Sequence, residues 1–142
     1  MKILDHILLI DDSVEDNEFH EIVIKGAAVA RRLSCITDAV KAIDFLKQAV
    51  NDSDNSSFPE LIFLDIMMPK VDGFELINKL RSIIAEAKHP VRKPYIYILS
   101  GAYNPVIETY LKNPDFNDLV VGYRLKPLTK AMLIEIVQKH FA

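Results

Sequence analysis

Five residues of this sequence stand where short apolar runs give way to polar ones, and their types suggest phosphoryl chemistry. Asp11 and Asp12 follow Ile7–Ile10, Asp65 follows Leu61–Leu64, Ser100 follows Tyr95–Leu99, and Lys126 follows Val120–Leu125. Three carboxylates brought together repel one another, and burying them unpaired is costly. A hard divalent cation relieves that repulsion. Mg²⁺ prefers a few carboxylates together with water and phosphate oxygens, which matches this inventory. One carboxylate can then act as nucleophile toward phosphorus, as in aspartyl-phosphate chemistry. The cation and Lys126 would neutralise charge building on the equatorial oxygens, and Ser100 would donate a hydrogen bond to one of them.

Such residues act together only if the runs before them are neighbours in space. The four runs are rich in β-branched or aromatic residues and too short for helices. They read as strands apolar on both faces, as in a parallel sheet covered by helices. A fifth, weaker candidate is Arg32–Ile36. Between the runs lie helical patterns. Ser13 caps a helix to about Ala28, with Phe19, Ile22 and Val23 inward. Thr37 caps a second, with Ala39, Ile43, Leu46 and Val50 on one face. Asp72 caps a third, with Phe74, Ile77, Leu80 and Ile84 on one face. Asn104-Pro105 starts a short fourth, with proline in its first turn. Thr129 caps a fifth, with Leu133, Ile136 and Val137 inward. Five strand–helix alternations argue a parallel α/β sheet with helices on both faces. In such sheets ligands bind outside the carboxyl ends of the strands, where the five residues stand.

Composition narrows the function classes. The chain has 142 residues, 50% hydrophobic and 26% charged, which is an ordinary globular balance rather than a disordered one. A net charge of −3 argues against nucleic acid as a partner. One cysteine, Cys35, excludes an intramolecular disulfide and a cysteine metal site, and reads as a small core residue. No stretch approaches a membrane span. The expectation is one domain over residues 1–142, with no attached output domain and a cytoplasmic location by default. His6, His20, His89 and His140 are scattered and read as surface residues. The polar stretch 51–57 and the basic stretch Lys88–Lys93 read as solvated loops.

Four motifs carry a family resemblance. LLIDDS (Leu8–Ser13), LIFLDIMMPKVDGFEL (Leu61–Leu76), ILSGA (Ile98–Ala102) and YRLKP (Tyr123–Pro127), in that order, resemble a receiver domain of a two-component response regulator, of the single-domain, chemotaxis-regulator-like kind. The resemblance implies a flavodoxin-like (βα)5 three-layer sandwich whose five-stranded parallel sheet has strand order 2-1-3-4-5. It implies Asp65 as phospho-acceptor, with Asp11, Asp12, Asp65 and the backbone carbonyl of Met67 around Mg²⁺. It also implies Lys126 as the site lysine, Ser100 and Tyr123 as the switch pair, Gly73 in the loop after the acceptor, and a cis Lys126-Pro127 bond. The loops 51–59, 86–94 and 111–119 look longer than in compact members, and Asn117-Asp118 replaces a small-residue pair.

The function so implied is a phosphorylation-dependent signalling switch of a two-component or phosphorelay system. The phosphoryl group comes from a histidine kinase or histidine phosphotransfer domain. The output is a downstream protein target or a homodimer, with no role for nucleic acid or membrane. The chain would catalyse only its own phosphorylation and dephosphorylation. Two alternatives stay open at this point. One is a phosphatase or phosphotransferase with an aspartyl nucleophile, disfavoured because the general-acid position two residues after Asp65 is Met67. The other is a receiver-like binding module that is never phosphorylated, disfavoured because the acid pair and the lysine are both present.

Overall fold

The structure, a computed structural model, describes residues 2–52, 54–66, 73–103, 105–114 and 118–141. Within them the chain runs β1 (Leu4–Ile10), α1 (Val14–Ala27), β2 (Ala30–Ile36), α2 (Ala39–Val50), a 3₁₀ turn (Asn55–Ser57) and β3 (Leu61–Leu64). It continues through α3 (Gly73–Ala85), β4 (Tyr95–Ser100), α4 (Pro105–Lys112), β5 (Val120–Leu125) and α5 (Lys130–Phe141). The strands pair in parallel in the order β2-β1-β3-β4-β5, the arrangement the resemblance implies.

Successive side chains of a strand point to opposite faces, so an unbroken apolar run feeds two cores at once. Leu8, Ile10, Ile62, Leu64, Ile96 and Ile98 face a core closed by α2 and α3. Ile7, Leu9, Leu61, Phe63, Tyr97 and Leu99 face a second core closed by Ile24 of α1 and Leu133, Ile136 and Val137 of α5. The edge strand β2 exposes Arg31 and Arg32 at its start, which is why its sequence signal is weak; it begins at Ala30, two residues before the expected run. Gly122 of β5 has a steric reason: a Cβ there would stand 2.8 Å from the Tyr97 ring. Gly73 has one too, since a Cβ would meet the Ile66 backbone at 2.7 Å where α3 starts.

Several expectations need correction. Phe19 and Ile22 of α1 do not point inward; they are 49% and 71% exposed, while Asn17, His20 and Ile24 are buried. The physical reason is one specific hydrogen bond made by each of Asn17 and His20, although the Asn17 Oδ1 is left without a partner among the described residues. Asn17 Nδ2 donates to the Asp11 carbonyl at 2.9 Å, and His20 Nε2 accepts from the Leu128 N–H at 3.1 Å. These two bonds turn a mixed face of α1 inward, where an apolar count alone picks another. The cap of α2 is Asp38, not Thr37: its carboxylate accepts from the N–H groups of Val40 and Lys41. Ser13 and Thr129 cap as expected, accepting from Asp16 N and Met132 N. The readings of Asp72, Asn104 and Asn117 lie outside the described residues.

The histidines are not surface residues as a group. His6 and His20 are 1% and 2% exposed. His6 sits between the Ser57 carbonyl and the Ser34 hydroxyl, at 2.8 and 2.7 Å. His140 lies 2.7 Å from the Tyr97 hydroxyl. The stretch Lys88–Lys93 is not merely solvated. Arg92 pairs with Glu60 at 2.5 Å and with Asp5 at 3.2 Å, and Lys93 approaches Asp118 at 3.9 Å. Cys35 is half-buried at the rim of the second core, and burial beside Glu21 pushes its thiol up to about 11.

Candidate functional site

Pairing continues one residue past the strand ends and thereby places the site. Asp11 N donates to the Ile36 carbonyl, Asp65 N to the Ile10 carbonyl, and Lys126 N to the Ser100 carbonyl. Asp11, Asp65, Ser100 and Lys126 therefore stand along one edge of the sheet, at its carboxyl end.

The acids are not equivalent. Asp11 and Asp65 are buried, at 4% and 8% exposed, whereas Asp12 is exposed. Carboxylate oxygens of Asp11, Asp12 and Asp65 lie within 4.8 Å of one another. That is a hard-oxygen donor set of the kind Mg²⁺ takes. Asp11 is also held in place, because its Oδ1 accepts from Ser13 N at 3.0 Å and its Oδ2 lies 2.6 Å from Lys126 Nζ. Asp12 has no hydrogen-bonding or ionic partner among the described residues, which leaves its carboxylate available to a metal. Met67, the remaining expected ligand, lies outside the described residues.

Lys126 is the hub. Its ammonium reaches Asp11 at 2.6 Å, Asp16 at 2.8 Å and Asp65 at 3.5 Å. Burial opposes its charge, but hydrogen bonds to Asp11 and Asp16 and the Asp65 charge outweigh it and hold the ammonium above the ordinary lysine range. The hydrogen bond from Lys126 in turn holds the Asp16 carboxyl below the usual carboxylate range. Asp16 is the residue that sequence reasoning missed. A small signal for it existed: it lies four residues after Asp12, in the acidic first turn of α1. The Lys126-Pro127 bond is cis, as the resemblance implies.

Ser100 is 5% exposed, and its hydroxyl donates to the Ala102 carbonyl at 2.8 Å. Tyr123 is half-buried against the first core, beside Ile98 in the register and two residues before the Leu125 that pairs with Ser100. Its ring stands 6.2 Å from that of Tyr103, which is half exposed. The structure thus brings Asp11, Asp12, Asp65, Ser100 and Lys126 to one edge and puts Tyr123 on the neighbouring strand. Chemically, the arrangement offers a buried carboxylate, a metal-competent acid pair and an adjacent ammonium.

No family model matches the chain. Among curated proteins it is similar to the response regulator Rcp1 of Synechocystis, with 35% identity over 75 residues, covering 53% of this chain and half the length of that relative. It is also similar to the probable methanogenesis regulatory protein FilR2 of Methanothrix harundinacea. There it is 31% identical over 119 residues, covering 75% of this chain and 73% of the relative. Among solved structures, a two-component response regulator from Cytophaga hutchinsonii superposes with a TM-score of 0.79 at 26% identity, over 97% of both chains.

Proposed function

We propose how this site works from one premise: the chain belongs to the receiver-domain family of two-component response regulators. Asp65 is the phospho-acceptor. One of its oxygens forms a bond to the phosphorus of a donor phosphohistidine. The phosphorus–nitrogen bond breaks, and the imidazole leaves with that electron pair. The observation that carries this reading is the convergence of Asp11, Asp12 and Asp65 on one edge with Lys126 among them. A bound Mg²⁺ supplies charge neutralisation for the phosphoryl oxygens. Asp12, Asp11 and Asp65 would hold it, with the Met67 carbonyl taken over from the family resemblance.

The chain's own residues do the rest. Lys126 offers its ammonium to a phosphoryl oxygen, and Ser100 turns its hydroxyl from the Ala102 carbonyl toward another. Tyr123 follows into the space Ser100 leaves, and the surface around α4 and β5 changes. This is a packed element with two arrangements, biased by a local change of charge. The chain then turns over no external substrate beyond its phosphodonor and its own phosphoryl group.

Residues 1–142 are read as one receiver domain, its donor as a histidine kinase or histidine phosphotransfer domain, and its output as a protein target or a second copy. The described residues contain no helix long and apolar enough to cross a membrane, and a cytoplasmic setting fits a partner of this kind.

The test is incubation with acetyl phosphate, with and without Mg²⁺, read by intact mass. The wild type should gain one phosphoryl group only with Mg²⁺, and Asp65→Asn should gain none while unfolding normally. Uptake by the asparagine variant at the wild-type rate would remove the assignment.

A further inference from the structure

Asp16 needs its own explanation. Its Oδ2 stands 2.8 Å from the Lys126 ammonium, nearer than the 3.5 Å to Asp65, and the lysine side chain is only 14% exposed. One turn further along α1, His20 accepts a hydrogen bond from the Leu128 N–H at 3.1 Å. The helix therefore holds the segment after β5 at two points on either side of Pro127, through the side chain of Lys126 and the backbone of Leu128. With Leu128 anchored to α1, the root of the lysine keeps a fixed relation to Asp16. The ion pair is built into the packing of α1 on this segment.

We propose that Asp16 is a positioning residue for Lys126: it draws the ammonium toward α1 and away from the Asp65 oxygen, so that phosphoryl uptake has to loosen this ion pair. The proposal rests on Asp65 being the acceptor. With acetyl phosphate, an Asp65 oxygen bonds to phosphorus, the bond from phosphorus to the acyl oxygen breaks, and acetate leaves with that electron pair. The arriving phosphoryl oxygens compete with Asp16 for the same ammonium. Without Asp16, Lys126 is shared between Asp11 and Asp65 and meets the phosphoryl group sooner. The Asp16 side chain is 43% exposed, so water and salt screen the pair and the expected effect is modest, about threefold in rate.

The experiment uses the full chain with saturating Mg²⁺ and acetyl phosphate, and compares the wild type with Asp16→Asn, Asp16→Ala, Asp16→Glu and Asp65→Asn. Phosphoryl gain is followed by intact mass, and the Lys126 ammonium is followed separately by ¹⁵N NMR in metal-free protein. Asp16→Asn and Asp16→Ala should each take up phosphoryl about threefold faster and shift the ammonium signal. Asp16→Glu should restore both, a rescue that a general loss of packing would not give. Unchanged or slower uptake in both removal variants, or an unmoved ammonium signal, overturns the proposal. If Asp65→Asn still gains phosphoryl, the acceptor assignment fails instead. The ammonium signal, which needs no transfer, then decides the Asp16–Lys126 contact by itself.

Discussion

At the amino-terminal end of the sheet Glu60 is 5% exposed, as buried as Asp65 is at the carboxyl end with 8%. Their surroundings differ. Glu60 lies 2.5 Å from Arg92 and 3.8 Å from Lys2, and its neighbour Asp5 is paired with Arg31 and again with Arg92. Two acids there face three cations. At the carboxyl end Asp11, Asp16 and Asp65 share Lys126, with Asp12 beside them. Among the described residues, the first end is neutralised by the protein itself and the second is left with surplus negative charge. A buried acid therefore does not mark a site by itself. An acid cluster short of cations among the described residues does, because it offers together the oxygen ligands that a hard cation takes.

Removing the shared cation at each end should separate the two. Lys126→Met leaves Asp11 and Asp65 facing each other and should cost the metal-free protein about 3 kcal/mol, part of it recovered by Mg²⁺. Urea unfolding with and without Mg²⁺ measures this, and a loss that Mg²⁺ does not touch would contradict the surplus-charge account. Within the carboxyl end, Asp12→Ala should weaken Mg²⁺ binding roughly tenfold, about 1.4 kcal/mol, and more than Asp11→Ala does. Asp11→Ala should instead destabilise the metal-free fold, since Asp11 holds both Lys126 and the Ser13 N–H. Calorimetric titration of both variants checks the order. Arg92→Met at the other end should cost less, about 1 kcal/mol, because Arg92 itself is 55% exposed and Lys2 remains 3.8 Å from the buried Glu60 carboxylate, and should leave Mg²⁺ binding and phosphoryl uptake unchanged.

The smallest effect expected is on pH dependence. Burial pushes the His20 imidazole below its ordinary range, with the Asp16 charge opposing, and its Nε2 must be unprotonated to accept from Leu128 N–H. Burial lowers His6 as well. The unfolded chain thus takes up these protons first. The stability they contribute is complete above the ordinary histidine pKa of about 6.5 and is lost as pH falls below it toward the folded values. Thermal unfolding between neutral and mildly acidic pH should show this slope, and His20→Gln should flatten part of it. A midpoint that rises on acidification would mean these imidazoles are charged in the fold.

Legibility in the sequence followed the kind of force involved. Both faces of β1, β3 and β4 are apolar, so their runs announce themselves, and the acids and lysine after them are found by position. The phase of α1 was not legible, because Asn17 and His20 are buried through single hydrogen bonds to Asp11 and Leu128 that no periodicity encodes. The Arg92–Glu60 pair joins residues distant in sequence, so Lys88–Lys93 read as a plain charged loop.

By itself the sequence determined the layered α/β architecture, since hydrophobic burial depends on local pattern and any compatible partner satisfies it. It also determined which residues stand at the strand ends, since alternation and turn chemistry are local. Only the tertiary structure decided how charge is shared at that edge: that Asp11 is buried and tied to Lys126 while Asp12 stays open, and that Asp16 enters the site from α1. Ion pairs and single hydrogen bonds act over a few ångströms in a fixed direction, so their partners exist only once the helices have docked on the sheet.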